Sequence, residues 1–188
     1  MDIVEEVKNW VESECKKPTS KYGYEPFIFH FGPVVKYANE LAEELGADKE
    51  IVTVAGWLHD IGSIIDGREN HHITGAKIAE QKLKEFNYPA EKIELVKKCI
   101  LNHRGSLNNN RESIEEIVVA EADVLSNFDN IGGLFKAAYE YEGLTQGEAH
   151  ASVLKKLENK YNQLHLDKSK ELIGPRFEAA KLLLSDKQ

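Results

Sequence analysis

Apolar residues recur along the chain at spacings of three and four, the period of helices with one buried face. Ile3, Val4, Val7, Trp10 and Val11 form one stripe. Val34, Val35, Ala38, Leu41, Ala42 and Leu45 form another, which Gly46 closes at a C-cap position. Asp48 caps a short, nearly all-apolar segment from Ile51 to Ile61, which Gly62 ends; this is predicted to be the most buried helix. Ile73, Ala76, Ala79, Leu83 and Phe86 make the next stripe, and Pro89 sits in the first turn of a helix carrying Ile93, Val96 and Ile100. Ser113 with Glu116, and Thr145 with Glu148, read as capping boxes. The last helix is predicted from about Lys168 to Leu184, with Gly174-Pro175 kinking or breaking it. No strand-like alternation of useful length appears. The pattern predicts an all-α fold of about eight helices.

Composition narrows the class. The 188 residues are 41% hydrophobic and 30% charged, enough apolar content for a core and against disorder. The length fits one domain. We expect a motif-bearing core over about residues 20–130, with helices of 131–188 packed on it. No run of about 18 apolar residues exists to span a membrane. The acidic start Met1-Asp2-Ile3-Val4-Glu5-Glu6 lacks the basic and apolar regions of a signal peptide. With only Cys15 and Cys99, and no Cys-x-x-Cys, a cytoplasmic protein with reduced thiols is expected. The net charge of −8 argues against a general nucleic-acid surface. Homodimerisation is left open.

The candidate chemistry lies in the histidines and aspartates. His59-Asp60 ends the most apolar segment, where two ionisable groups are costly unless partnered or bound to metal. From the dipeptide alone, a His-Asp pair capping its own helix is the plainer account. His30 precedes the Val34–Leu45 stripe. Asp123 stands in an apolar stretch, sharing a side with Ala120, Val124 and Asn127, so a solvent face is a poor place for it. Two histidines and two aspartates, each at a buried end or face, make a mixed nitrogen and oxygen metal site.

This ordered set, with Glu121-Ala122-Asp123-Val124-Leu125, Ile131-Gly132-Gly133, Val153-Leu154-Lys155-Lys156-Leu157 and Arg176, resembles the HD-domain superfamily of metal-dependent phosphohydrolases. The likeness is greatest to its small stand-alone bacterial and archaeal members and covers roughly residues 20–184. It implies one or two divalent ions (Mn, Fe, Ni, Co, Zn or Mg) held by His30, His59, Asp60 and Asp123. Asp60 would be the central catalytic carboxylate, and a metal-bound water would attack phosphorus. In dinuclear members two further histidines hold a second metal. His72, on the face of Ala76, Ala79 and Leu83, and His103, beyond Val96 and Ile100, match those places. The alternative is that they contact phosphate. His71, on the side of Gly75, Ile78 and Lys82, is the weaker candidate.

Some nucleotidase branches carry a glutamate three residues after the motif aspartate; here that residue is Ser63. Arg104, then Lys77 and Arg68, are the candidate cations for a phosphorylated substrate, for which the resemblance favours a nucleotide. Asn127 and Asp129 could orient ligands or simply end a helix, and the loop of Asp66, Arg68 and Glu69 could cover the site or be merely solvated. His150 and His165 are expected on a solvated surface, with Cys99 and Trp57 in the core. Two other readings stay open: a nucleotide-binding regulatory module without turnover, and a dinuclear iron oxygenase.

Overall fold

Asp2 accepts a hydrogen bond from the Val4 amide, and α1 (Ile3–Lys16) starts from that cap. The structure is a computed structural model and describes residues 2–104 and 110–185. A π-helical turn at Phe27–Phe31 leads into α2 (Gly32–Leu45), closed by Gly46 in the left-handed region at φ 72°. Asp48 accepts from the amides of Glu50 and Ile51 to begin α3 (Lys49–Leu58), whose residues Ile51 to Leu58 are all buried. Next come α4 (Ile61–Ile65), α5 (His71–Glu85), α6 (Ala90–Asn102) and α7 (Ile114–Ser126). The remainder is α8 (Ile131–Glu140), α9 (Gln146–Asn162) and α10 (Asp167–Leu184). The fold is all-α, and no strand occurs among the described residues.

The chain forms two compact units, Met1–Asp123 and Val124–Gln188. In the first, α3 packs against α1, α2 and α6, and α5 lies between α4 and α6. Its core includes Val7, Val11, Leu41, Val52, Leu58 and Ile100, each with essentially no exposure. In the second, α8 and α10 pack on α9 through Val153, Leu157 and Ile173. There Asp129 pairs with Arg176 at 3.1 Å, and Phe177 stacks on Tyr161. His150 leans on Phe135, while His165 is exposed. No helix of the described residues is long and apolar enough to cross a membrane.

Both capping boxes form. Glu116 donates its amide to Ser113 Oγ while the Ser113 amide reaches Glu116 Oε1, and Thr145 and Glu148 repeat the exchange. Two expectations are corrected. The apolar run Ile51 to Ile61 is not one helix: α3 ends at Leu58 with His59 as its cap, and α4 starts after Asp60, whose φ −111° and ψ 15° lie outside the helical region. Pro175 does not break the last helix. α10 runs through it, because the bond it cannot make would go to Glu171, on the exposed side of the helix where water can serve that carbonyl.

Candidate metal centre

Four breaks in helical regularity converge within the first unit. The π-helical turn gives one extra residue before α2 and carries His30. The end of α3 presents His59, and the non-helical backbone of Asp60 turns its carboxylate away from α3. Asn70, left-handed at φ 52°, starts α5 so that His71 is its first residue. His103 caps the C-terminus of α6, and Asp123 projects from α7. His59 and His103 are essentially inaccessible, His71 and Asp123 are buried, and His30 and Asp60 are half-buried.

Asp60 stands at the middle with its two oxygens divided. Oδ2 lies 3.4 Å from His30 Nε2 and 3.8 Å from His59 Nε2. Asp123 Oδ1 faces the same two nitrogens at 3.6 and 3.9 Å. Oδ1 of Asp60 lies 3.0 Å from His71 Nε2 and 3.6 Å from His103 Nε2. The paired nitrogens are themselves close, at 3.0 Å for His30 and His59 and 3.3 Å for His71 and His103. Ligand-capable atoms thus form two overlapping groups, His30–His59–Asp60 and Asp60–His71–His103.

Backbone carbonyls set the tautomers. Nδ1 of His59, His71 and His103 lies 2.8, 2.8 and 2.6 Å from the carbonyls of Gly56, Arg68 and Ile100. A carbonyl only accepts, so each Nδ1 carries the hydrogen and a neutral ring leaves a lone pair on Nε2. Burial pushes His59 down to about 4, which keeps it neutral at physiological pH. At His71 and His103 the two Nε2 atoms then face one another across 3.3 Å. That donor set fits a divalent cation. Burial acts to raise Asp60, but His59 and hydrogen bonds from His103, His30 and His71 hold it well below the usual carboxylate range. Burial acts to lower His71, but the Asp60 carboxylate, with Oδ1 3.0 Å from Nε2, raises it overall.

The structure brings His71, not the favoured His72, to Asp60 and His103. The His72 ring stands 5.8 Å from that of His71, and its Nδ1 is buried without a hydrogen-bond partner. The missed signal was Gly75. The apolar pattern favours His72 as the inward residue, yet the buried side of α5 includes both His71 and Gly75. A glycine marks the line of closest approach while adding nothing to an apolar count.

The substrate candidates separate. Arg104 follows His103 and its charge bears on both His71 and His72. Lys77 is exposed, two residues beyond Gly75 and so across α5 from it. Arg68 is exposed and contributes its carbonyl to His71. Arg111, overlooked in the sequence, donates from Nε to the Asn102 carbonyl and from Nη2 to that of Arg104, fixing the end of α6. Ser63 Oγ donates to Asp60 Oδ1 at 3.4 Å. Trp57 is buried and stacks on Phe27, and Cys99 is buried, as expected of core residues.

A family model described as HD domain matches residues 28–127. An uncharacterized protein of Clostridium beijerinckii is 35% identical over 85 residues, 43% of this chain and 54% of that protein. Ribonuclease Y of Enterococcus faecalis is 37% identical over 99 residues, 52% of this chain and 17% of its own length. The chain therefore spans about half of the first relative and a small part of the second. Among solved structures, Bacillus subtilis YpgQ in complex with ADP superposes with TM-score 0.69 at 24% identity, covering 93% of this chain and 90% of that one. An HD-superfamily hydrolase from Bacillus thuringiensis gives TM-score 0.73 at 18% identity, covering 97% and 93%. At these identities the structural likeness speaks to the fold alone.

Proposed function

The chain belongs to the HD-domain family, and from that membership we propose that it is a metal-dependent phosphohydrolase acting on a nucleotide. The observation that carries the proposal is the division of Asp60, with one oxygen facing His30 and His59 and the other facing His71 and His103. In this reading His30, His59, Asp60 and Asp123 hold one divalent cation, and Asp60, His71 and His103 hold a second. Four imidazoles and two carboxylates suit Mn, Fe, Co, Ni or Zn better than Mg. Such cations supply Lewis acidity and lower the pKa of coordinated water toward about 7.

The chain's own groups do the rest. The carbonyls of Gly56, Arg68 and Ile100 hold three imidazoles in the ligand tautomer. Asp60, kept ionised, offers both oxygens at once. Arg104, close enough to bear on His71 and His72, is placed to offset charge growing on phosphoryl oxygens. Arg111 secures it by holding the Arg104 carbonyl. Ser63 has no acidic proton to give, so protonation of the leaving group falls to another donor or to solvent. A nucleotide is favoured as substrate by the fold shared with YpgQ, which was solved with ADP. The ribonuclease Y relatives raise an RNA phosphodiester as second reading, which the net charge of −8 disfavours.

The test loads the protein with Mn²⁺, Co²⁺ or Ni²⁺ and assays phosphate or pyrophosphate release from nucleoside mono-, di- and triphosphates, a cyclic nucleotide and a short oligoribonucleotide. Turnover of a mononucleotide, abolished in Asp60→Ala, is expected. Cleavage of the oligoribonucleotide alone would favour the second reading. Absence of product from every substrate overturns the proposal, with tight calorimetric binding then indicating a regulatory module. An iron-specific Mössbauer signal together with oxygen-dependent product would indicate an oxygenase.

A further inference from the structure

We infer that the close crossing of Gly62 and Gly75 positions His71 against Asp60, so that the second histidine pair holds a cation at full affinity only because both positions lack a β-carbon. This rests on the metal-centre reading above. Gly62 lies two residues after Asp60 on α4, and Gly75 lies one helical turn after His71 on α5. A β-carbon at Gly62 would stand 2.3 Å from the His71 carbonyl oxygen, 2.7 Å from the Gly75 nitrogen and 2.7 Å from Thr74 Oγ1. One at Gly75 would stand 3.2 Å from the Gly62 nitrogen and 3.6 Å from Ile100 Cγ2. Two backbones therefore touch here, and one of the atoms touched belongs to His71 itself.

Backbone conformation does not explain these glycines. Neither has a positive φ, unlike Gly23, Gly46, Gly67 and Gly143. Both sit in helices, where glycine is destabilising relative to alanine. Close approach is the remaining reason. To relieve the Gly62 contact to ordinary van der Waals distance, the first turn of α5 has to withdraw by roughly 1 Å. Ligand distances at a metal tolerate about 0.2 Å. The first group is spared where α5 is the element that gives way, because His30, His59 and Asp123 come from the π-helical turn, the end of α3 and α7, and Asp60 precedes α4. Gly62→Ala should therefore remove one cation and leave the other, while Gly75→Ala, whose contact needs a few tenths of an ångström, should weaken the same cation without removing it.

The experiment measures Mn²⁺ stoichiometry by elemental analysis, affinities by titration calorimetry, and the EPR signal of an exchange-coupled manganese pair. Expected are two equivalents for wild type, one for His71→Ala, one for folded Gly62→Ala, and two for Gly75→Ala with the second weakened about 10-fold. Gly75→Ala combined with His71→Ala should match His71→Ala alone. Gly132→Ala, whose added carbon meets nothing within 4 Å, is the control and should keep both ions. Two ions of wild-type affinity in both Gly62→Ala and Gly75→Ala, or parallel loss of both ions from folded variants, overturns the inference and leaves the functional proposal standing. If Gly62→Ala does not fold, Gly75→Ala decides: a weakened second ion supports the inference and an unchanged one overturns it. A wild type that binds no ion overturns both.

Discussion

Cys15 and Cys99 are buried free thiols outside the His/Asp cluster, and they give the molecule an alkaline limit. Burial pushes the Cys15 thiol up to about 11, from 9.0, and pushes Cys99 up further. Between those values the unfolded chain releases a proton that the folded chain keeps, so the unfolded state binds fewer protons and stability falls as pH rises. The slope is about 1.4 kcal/mol per pH unit for each thiol. Urea denaturation at pH 9, 10 and 11 should show that decline, and Cys15→Ala should flatten it by one thiol's share; an unchanged slope would refute the assignment. His30, His59, Asp60 and Asp123 stood out because ionisable residues at apolar helix ends conflict with burial. In the structure their ligand atoms lie within 4 Å of one another in pairs, and His71 joins them at Asp60. His71 and His72 are adjacent, and which one turns inward depended on Gly75, whose meaning is a distance between backbones rather than a hydrophobicity. Because Asp60 faces both histidine pairs, Asp60→Asn should lose both cations, whereas Asp123→Asn should weaken only the ion at His30 and His59. Equal loss in the two variants, measured by metal content, would contradict the division.

At the scale of elements, the caps were legible and the interruptions were not. Asp48, Gly46, Ser113 and Thr145 act through local hydrogen bonds or local dihedrals, so a four-residue window contains the whole cause. The break at His59-Asp60 lies in an apolar run whose local propensity says helix throughout; what opposes it is a set of partners contributed by α5, α6 and α7. Pro175 is the converse, a strong local breaker that the element tolerates. The Ser113–Glu116 box also reaches beyond its own helix, because Glu116 accepts from Asn102 Nδ2 at 2.6 Å and so ties the start of α7 to the end of α6, beside His103. Ser113→Ala removes only the hydroxyl and should cost about 1 kcal/mol in urea denaturation with both metal sites kept. Glu116→Ala also removes the acceptor of Asn102 and leaves a fully buried gap, so it should additionally weaken the cation at His71 and His103. Unaltered metal affinity in Glu116→Ala would show that the end of α6 is held by Arg111 alone.

For the whole molecule, the question is whether the proposed ions build the fold or only occupy it. The core of the first unit, Val7, Val11, Leu41, Val52, Leu58 and Ile100, is apolar and buried without any ligand atom taking part. The ligands come from the ends and interruptions of helices that this core already sets in place. Structural zinc domains differ, because there the metal takes the place of a core and its removal unfolds the chain. Chelation should therefore leave the far-ultraviolet helical signal at 25 °C intact while lowering the melting temperature, since ions that bind only the folded state stabilise it by mass action, by about 4 kcal/mol at a thousandfold excess over Kd. The drop should shrink as free ion is lowered toward Kd and vanish in Asp60→Ala. Removal of the ions also strips the site of positive charge and leaves the Asp60 and Asp123 carboxylates without cations in a chain of net charge −8, so the chelated protein should bind an anionic nucleotide far more weakly by calorimetry. Collapse of the helical signal on chelation would overturn this division of labour and make the centre a structural one. Nucleotide binding unchanged by chelation would instead place the anion on the protein's own cations, with Arg104 the first to replace.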